Sequence, residues 1–205
     1  MEPVPTLTRE SCVAALAAFE PRAADLAGHR HAAVALAVVT SDSGSPTLLL
    51  TLRPSKMRAH PGQFALPGGA VDAGETAPQA ALRELEEELG VRAAASGVLG
   101  RLDDFVTRSG YVITPIVVWV GDLDAPLAPN PDEVALVFEV TTAELDREPR
   151  FHAIAGSPEP LIQWPFRGEH LFAPTAAILH QFREVVLHGR PTRVDGFHQP
   201  DFAAR

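Results

Sequence analysis

Three glutamates, Glu84, Glu87 and Glu88, are spaced so that an α-helix would place them within an arc of roughly 100°. Glu84 and Glu88 form an i,i+4 pair of like charges, which destabilises an isolated helix. A hard divalent cation would offset this repulsion, because such ions prefer carboxylate oxygens as ligands. A metal site on this helix and a solvated acidic face are therefore both possible, and for a bare run of glutamates the solvated face is the more common case.

Local signals define the helix that carries these glutamates. Thr76 is a suitable N-cap, Gln79 stands three residues on as a capping box requires, and Pro78 falls in the first turn. Gly90 stands where a left-handed residue commonly ends a helix. The apolar stripe predicted to face the core consists of Pro78, Leu82, Leu85 and Leu89.

The same stretch resembles the Nudix box, G-x5-E-x7-R-E-U-x-E-E-x-G-U, in which U is a bulky apolar residue. A match of this length on a loop and a helix is far more specific than an isolated glycine motif. The resemblance implies an α/β fold of the Nudix type, an α/β/α sandwich with a mixed sheet. It also implies an enzyme that hydrolyses a nucleoside diphosphate linked to another group. The matching positions are Gly69, Glu75, Arg83, Glu84, Leu85, Glu87, Glu88, Gly90 and Val91.

A basic segment lies directly upstream of the box, although the whole chain has a formal net charge of −9. Arginine forks suit phosphate oxygens, and lysine adds a point charge. Because the segment leads into Gly68 and Gly69, the sequence predicts that it binds substrate phosphates together with these glycines. A solvated basic loop is the alternative. The potential cations are Arg53, Lys56, Arg58 and His60.

This upstream segment resembles the signature of the coenzyme A diphosphatase branch of the family, L-L-T-x-R-[SA]-x3-R-x3-G-x3-F-P-G-G. Pro54 and Leu66 depart from the pattern, and proline removes an N–H that a phosphate could use. Phe172 and Ala173 also depart, since the family commonly has an aromatic residue followed by glycine there. The resemblance implies hydrolysis of coenzyme A or its derivatives to 3′,5′-ADP and 4′-phosphopantetheine or its acyl form. The matching positions are Leu49, Leu50, Thr51, Arg53, Arg58, Gly62, Pro67, Gly68 and Gly69.

The resemblance also implies a Mg²⁺ or Mn²⁺ cofactor, which would neutralise the diphosphate and activate water. Arg83 would orient the carboxylates; its other possible role is an i,i+4 pair with Glu87. The general base would be Glu133, on an acidic loop before a strand, or Glu84. The implied metal ligands are Glu84, Glu87, Glu88 and the carbonyl of Gly69.

Two other classes of function are consistent with the box. A housecleaning Nudix hydrolase of ADP-ribose, dinucleotides or oxidised nucleotides would keep the box but does not need the spacing of Arg53, Arg58 and Gly62. A non-catalytic nucleotide-binding module should have lost a box carboxylate, and none is lost. The sequence therefore favours a small-molecule substrate that resembles coenzyme A. It indicates neither the preferred form of coenzyme A nor the oligomeric state.

The bulk properties of the chain are those of one globular domain, 1–205. Its 205 residues are long enough for a sizeable core, and 46% of them are hydrophobic. The acidic net charge disfavours nucleic acid as a partner, and no apolar run reaches the ~20 residues of a membrane helix. A single cysteine, Cys12, and an N-terminus without a secretory signal predict a cytoplasmic protein.

Apolar patterns predict strands separated by helices, which favours a mixed sheet between helical layers. Besides the box helix, helices are predicted at 8–19, from Thr142, and at 175–187. Glycine, proline and scattered charges predict a loosely held tail at 189–205. Strands are predicted at 31–40, 47–53, 97–102, 111–120, 134–140 and 161–164.

Overall fold

The computed structural model describes residues 5–56 and 62–200. Its central strand is β1 (Arg30–Thr40), whose alanines and valines are buried over most of its length. Small and apolar residues on both faces suit a strand that is covered on both sides. β1 runs parallel to β7 (Tyr111–Gly121) and antiparallel to β2 (Pro46–Leu52) and β4 (Gly68–Ala70).

Shorter strands extend this sheet within the described residues. β3 (Phe64–Ala65) and β8 (Leu136–Thr141) pair with β2, while β5 (Val98–Arg101) and β6 (Phe105–Val106) pair with β7. A 3₁₀ turn at Ala95–Gly97 precedes β5. A second antiparallel sheet consists of β9 (Arg150–His152), β10 (Leu161–Phe166) and β11 (Glu169–Leu171).

Helices cover both faces of the large sheet. α1 (Arg9–Ala18) and α4 (Thr175–Phe182) lie on one face with Leu36 and Val38 of β1. α2 (Ala77–Leu89) packs on the other face against the alanines of β1. α3 (Thr142–Leu145) is a single turn after β8, and α4 continues as a π-helical turn over Arg183–Leu187. The predicted α/β/α sandwich with a mixed sheet is confirmed.

The longer predicted elements are present with shifted ends. β8 begins two residues later than predicted, and the helix predicted at 175–187 changes from α to π geometry at Arg183. The strands β3, β4, β6, β9 and β11 were not predicted, because segments of two or three residues show no hydrophobic period. Within the described residues, no helix combines the length and the apolar character that crossing a membrane would require.

Residues 189–200, which the sequence predicts to be loosely held, are attached to the rest of the chain at several points. Val194 is 1% exposed, and the Arg193 guanidinium donates to Asp103 at 2.7 Å. The ring of Phe197 stacks on Phe151 with centroids 5.6 Å apart. Single side chains make these contacts to distant residues, so the local composition does not indicate them.

Candidate active site

The helix α2 begins and ends at the predicted residues. The Thr76 N–H donates to Gln79 Oε1 at 2.8 Å, and the Gln79 N–H donates back to the Thr76 hydroxyl, which completes the capping box. Gly90 adopts a left-handed φ of 69°, and its N–H donates to the Glu86 carbonyl at 2.8 Å. The helix that carries the acidic residues is therefore fixed at both ends.

The buried face of α2 is rotated from the predicted apolar stripe. Pro78 and Leu82 are only half-buried, whereas Glu88 is 4% exposed. Leu85 and Leu89 of the stripe are buried with the alanines of α2 and β1 in one cluster, while Leu82 is only partly buried against it. Glu88 is buried as well, and the Gly68 N–H donates to its carboxylate. The apolar residues buried on this face are Ala80, Ala81, Leu85 and Leu89.

Arg83 connects the loop before α2 with the acidic face of the helix. Its Nη1 donates to Glu84 and Glu87 at 2.8 and 3.0 Å, and its Nη2 donates to the Ala70 carbonyl at 3.0 Å. Its Nε and Nη2 also donate to the two carboxylate oxygens of Glu75, at 3.0 and 3.1 Å. These bonds lower the pKa of Glu75 and fix the guanidinium against Glu84 and Glu87, two of the three predicted carboxylate ligands of the metal.

The sequence marks Glu75 as a fixed position of the box but does not indicate which groups its carboxylate contacts. Its carboxylate accepts from Arg83 and from the N–H of Asp72, the latter at 3.0 Å. Glu75 therefore closes the loop that leads into α2 and holds Arg83 at the same time. The spacing of Glu75 and Arg83 within the box was the available signal.

Glu84, Glu88 and Glu133 form one electrostatically coupled group. Burial raises the pKa of Glu84, and the hydrogen bond from Arg83 opposes this change. Burial also raises the pKa of Glu88 to about 8; Arg53 lowers it, whereas the charges of Glu84 and Glu133 raise it further. The loop that carries Glu133 is tied to the end of α2, because the Asn130 N–H donates to the Glu88 carbonyl at 2.8 Å.

The pKa of Glu88 predicts how the stability of the metal-free protein changes with pH. Between the ordinary value of 4.5 and about 8, the folded chain keeps a proton on Glu88 that the unfolded chain has released. The retained proton stabilises the folded state. This stabilisation is complete below pH 4.5 and is lost as the pH rises through about 8. Melting temperatures with chelator at pH 6 and pH 9 should therefore differ less in Glu88→Gln than in the wild type. Equal differences in the two proteins would contradict this assignment.

The donor set suits a hard divalent cation. Within residues 5–56 and 62–200, no three His, Cys, Asp or Glu side chains already form a metal-binding cluster. Mg²⁺ seldom needs one, because it usually binds through one or two carboxylates together with water and substrate phosphates. Glu84 and Glu88 fit this description, and the Glu84 carboxylate lies directly against Gly69, where it fills the space that a Cβ would take. The side chain of Glu87 is 56% exposed and paired with Arg83.

Substitutions of Gly68 and Gly69 should have different effects. A Cβ on Gly69 would lie 2.2 Å from Glu84 Oε1, the movable end of a side chain, so Gly69→Ala should fold but displace the carboxylate. A Cβ on Gly68 would lie 2.3 Å from the Ala33 carbonyl oxygen in β1, so Gly68→Ala should lower the melting temperature. We expect Gly69→Ala to lose about tenfold or more in kcat at an unchanged melting temperature. Gly196→Ala is the control, because no atom lies within 4 Å of the added Cβ. Full activity in Gly69→Ala would show that the position of the Glu84 carboxylate against Gly69 does not matter for catalysis.

A cavity of about 290 Å³ lies on the sheet face that carries α4. Arg53 lines it, and among the residues that the structure describes the buried Arg53 Nε has no hydrogen-bond partner. Since Arg53 also acts on the charge of Glu88, the cavity adjoins the acidic group through this side chain. Other residues that line it include Val34, Gly68, Gly69, Phe64, Tyr111 and Ile178.

The basic segment is only partly assembled at this cavity. Arg53 lines it, but the exposed Lys56 pairs instead with Asp132, with Nζ and Oδ1 3.3 Å apart. Arg58 and His60 lie outside the described residues. Of the positions that depart from the branch signature, Pro54 and Leu66 are both buried.

Comparison with known families decides the class of protein. A family model described as the NUDIX domain matches residues 29–164. The chain belongs to the Nudix hydrolase family. Nudix hydrolases act on diphosphate linkages in small nucleotide substrates and generally need divalent metal ions, so the predicted enzyme class is confirmed.

Several known proteins are similar to this Nudix hydrolase. A Photorhabdus laumondii protein named uncharacterized Nudix hydrolase NudL is 36% identical over 165 residues, which are 77% of this chain and 86% of the relative. The Escherichia coli O7:K1 protein of the same name is 41% identical over 127 residues, which span 62% of this chain and 65% of the relative. The MutT protein from Methanosarcina mazei has a solved structure with a TM-score of 0.46 and 23% identity, covering 63% of this chain and 86% of its own.

Two walls of the cavity consist of residues that the sequence does not single out as site residues. Thr107, Ser109 and Tyr111 contribute one wall, and Pro174 and Thr175 contribute another. The second wall lies beyond residue 164, where the family match ends. No local pattern marks these residues, because they meet only after the sheet and α4 have packed together.

Proposed function

We propose that this Nudix hydrolase cleaves the diphosphate of coenzyme A or its derivatives to 3′,5′-ADP and 4′-phosphopantetheine or its acyl form. The observation that carries the proposal is that Arg53 lines the cavity and that its charge also lowers the pKa of Glu88. A buried N–H without a partner is costly unless a ligand completes it, and a diphosphate oxygen is a suitable acceptor. The spacing that places Arg53 upstream of the box is the spacing of the coenzyme A diphosphatase signature.

Glu84 and Glu88, with the carbonyl of Gly69, are the groups that would hold Mg²⁺ or Mn²⁺, and Glu87 could contribute to a second ion. When bound, the cation supplies charge for the diphosphate oxygens and lowers the pKa of water. Arg83 keeps Glu84 and Glu87 in place through its two hydrogen bonds from Nη1. Nudix hydrolases generally need divalent metal ions, and the charges of Glu84 and Glu133 beside the buried Glu88 support this choice of ligands.

Glu133 is our choice of general base. The hydrogen bond from Arg83 occupies one oxygen of Glu84, which leaves Glu84 less free to accept a proton from water. Glu133 bears no such bond from Arg83, and it lies near enough to Glu84 and Glu88 to influence the pKa of both. A base in this position could take a proton from water that lies between the carboxylates.

A panel of nucleotides with Mg²⁺ or Mn²⁺, analysed by mass spectrometry, tests the proposal. Coenzyme A should give 3′,5′-ADP and 4′-phosphopantetheine. Dephospho-coenzyme A should be cleaved with a lower kcat/KM, because it lacks the 3′-phosphate that a basic segment could bind. Equal kcat/KM values for ADP-ribose and coenzyme A would instead favour a housecleaning hydrolase, and chelator should stop every reaction.

A further inference from the structure

The turn 107–110, which forms one wall of the cavity, is bonded to the start of β1. Thr107 and Ser109, which line the cavity, share a hydrogen bond of 3.0 Å between their hydroxyls. The Arg30 N–H donates to the Gly110 carbonyl at 2.9 Å, and the Arg30 guanidinium lies 3.9 Å from the centroid of the Tyr111 ring. These contacts fix the inner side of the turn 107–110 and the start of β7.

Gln199 holds the outer side of the same turn. Its Oε1 accepts from the Arg108 N–H at 2.9 Å, and its Nε2 donates to the Val106 carbonyl at 2.9 Å. The Gln199 carbonyl also accepts from Arg108 Nη1 at 2.9 Å. The side-chain amide thus pairs with the backbone of Val106 and Arg108 as a neighbouring strand would, and these two residues flank the cavity residue Thr107.

Other contacts fix the position of Gln199 itself. Phe197 stacks on Phe151, and the His198 N–H donates to the Pro160 carbonyl at 2.9 Å. Val194 anchors the same segment in the core. These contacts fix the segment that carries Gln199 against the rest of the chain. Gln199 lies 35 residues beyond residue 164, where the family match ends.

The lining of the cavity indicates which part of a substrate it could receive. Among the described residues that line it, Arg53 is the one with a charged side chain, and no carboxylate is present. The remaining surface is apolar or carries hydroxyl and amide groups, for example at Val34, Ile178 and Ser109. A cavity of about 290 Å³ is small for a whole nucleotide derivative, so it suits an uncharged group attached to the diphosphate.

We infer that Gln199 is a positioning residue for substrate binding. By fixing the turn 107–110, it sets the shape of the cavity wall that contacts the uncharged group attached to the diphosphate. The segment beyond the matched Nudix region thereby contributes to substrate selectivity, both through Gln199 and through Thr175 and Ile178 of the other wall. This inference rests on the proposed function in one respect, namely that the cavity receives part of a diphosphate substrate.

The test compares Gln199→Ala with Gln163→Ala in the full chain. Gln163 also carries a side-chain hydrogen bond, to His152 at 3.1 Å, but it lies on β10 and does not line the cavity. Losing the two side-chain bonds should raise KM about three- to tenfold in Gln199→Ala, while kcat changes less than about twofold. Gln163→Ala should keep both constants. Melting temperatures of both variants should stay near that of the wild type.

Kinetics are measured with coenzyme A, dephospho-coenzyme A, ADP-ribose and a diadenosine polyphosphate, and KM is compared for the substrate that the wild type cleaves fastest. If that substrate is not coenzyme A, the proposed function fails, but the KM of Gln199→Ala still decides the inference. An unchanged KM in folded Gln199→Ala would overturn the inference, as would an equal rise in Gln163→Ala. Gln199→Glu keeps the acceptor for Arg108 but loses the donor to Val106; it should raise KM in the same direction, and it provides the comparison if Gln199→Ala does not fold.

Discussion

Replacing Glu88 with glutamine should remove most turnover and leave the fold intact. Glutamine keeps the shape of the side chain and can still accept the hydrogen bond from Gly68, but it cannot carry the negative charge that a divalent cation requires. Since metal charge contributes several kcal/mol to such reactions, kcat should fall by about a hundredfold or more. Steady-state kinetics at saturating Mg²⁺ or Mn²⁺, together with a melting curve, measure both effects.

Glu86→Gln is the matched control for this prediction. Glu86 lies on the same helix, but it is exposed and pairs with Arg92 at 2.7 Å on the surface. Its replacement should leave kcat unchanged, because exposed ion pairs contribute little and a residue two positions from Glu84 and Glu88 does not face them on a helix. If Glu88→Gln kept full activity, α2 would not be the metal site of this enzyme.

The sequence predicted the layout of the site better than the details of its packing. Capping by Thr76 and termination at Gly90 are local properties, so the ends of α2 could be predicted from the chain itself. The burial of Glu88 in place of Pro78 and Leu82 depends on how closely the alanines of α2 and β1 approach. Such a rotation follows from tertiary packing, which a periodic pattern in one helix does not report.

The same distinction applies to residues around the cavity. Arg53 could be predicted because it stands at a fixed spacing before the glycines of the box. Gln199 could not, because its side chain contacts Val106 and Arg108 across more than 90 residues of sequence. Lys56 shows the converse case, since its place in a basic segment suggested phosphate binding while the structure pairs it with Asp132. The sequence shows which charged side chains a segment contains, but the partners of these side chains depend on contacts between residues that are distant in sequence.

Replacing Arg53 with alanine should lower kcat/KM for coenzyme A by about 10- to 150-fold, the equivalent of one charge-assisted contact of roughly 1.5–3 kcal/mol. Arg53→Lys should recover only part of the loss, because the fork geometry is absent. Lys56→Ala is the control, since the ammonium group of Lys56 is exposed and held by Asp132.

Two effects must be separated in Arg53→Ala, because Arg53 also lowers the pKa of Glu88 and its removal should disfavour the ionised carboxylate. Assays at saturating metal over a series of rising pH values separate the two effects, because the part of the loss that no longer changes with pH measures the substrate contact. Arg83→Ala should reduce kcat/KM for all substrates alike, since Arg83 contacts Glu75, Glu84 and Glu87 rather than the cavity. An Arg53→Ala enzyme with unchanged kcat/KM would show that this guanidinium does not bind substrate, and an unfolded variant would assign it a structural role. Either result would remove the main support for a coenzyme A substrate, whereas a selective loss would place the diphosphate between Arg53 and the carboxylates of α2.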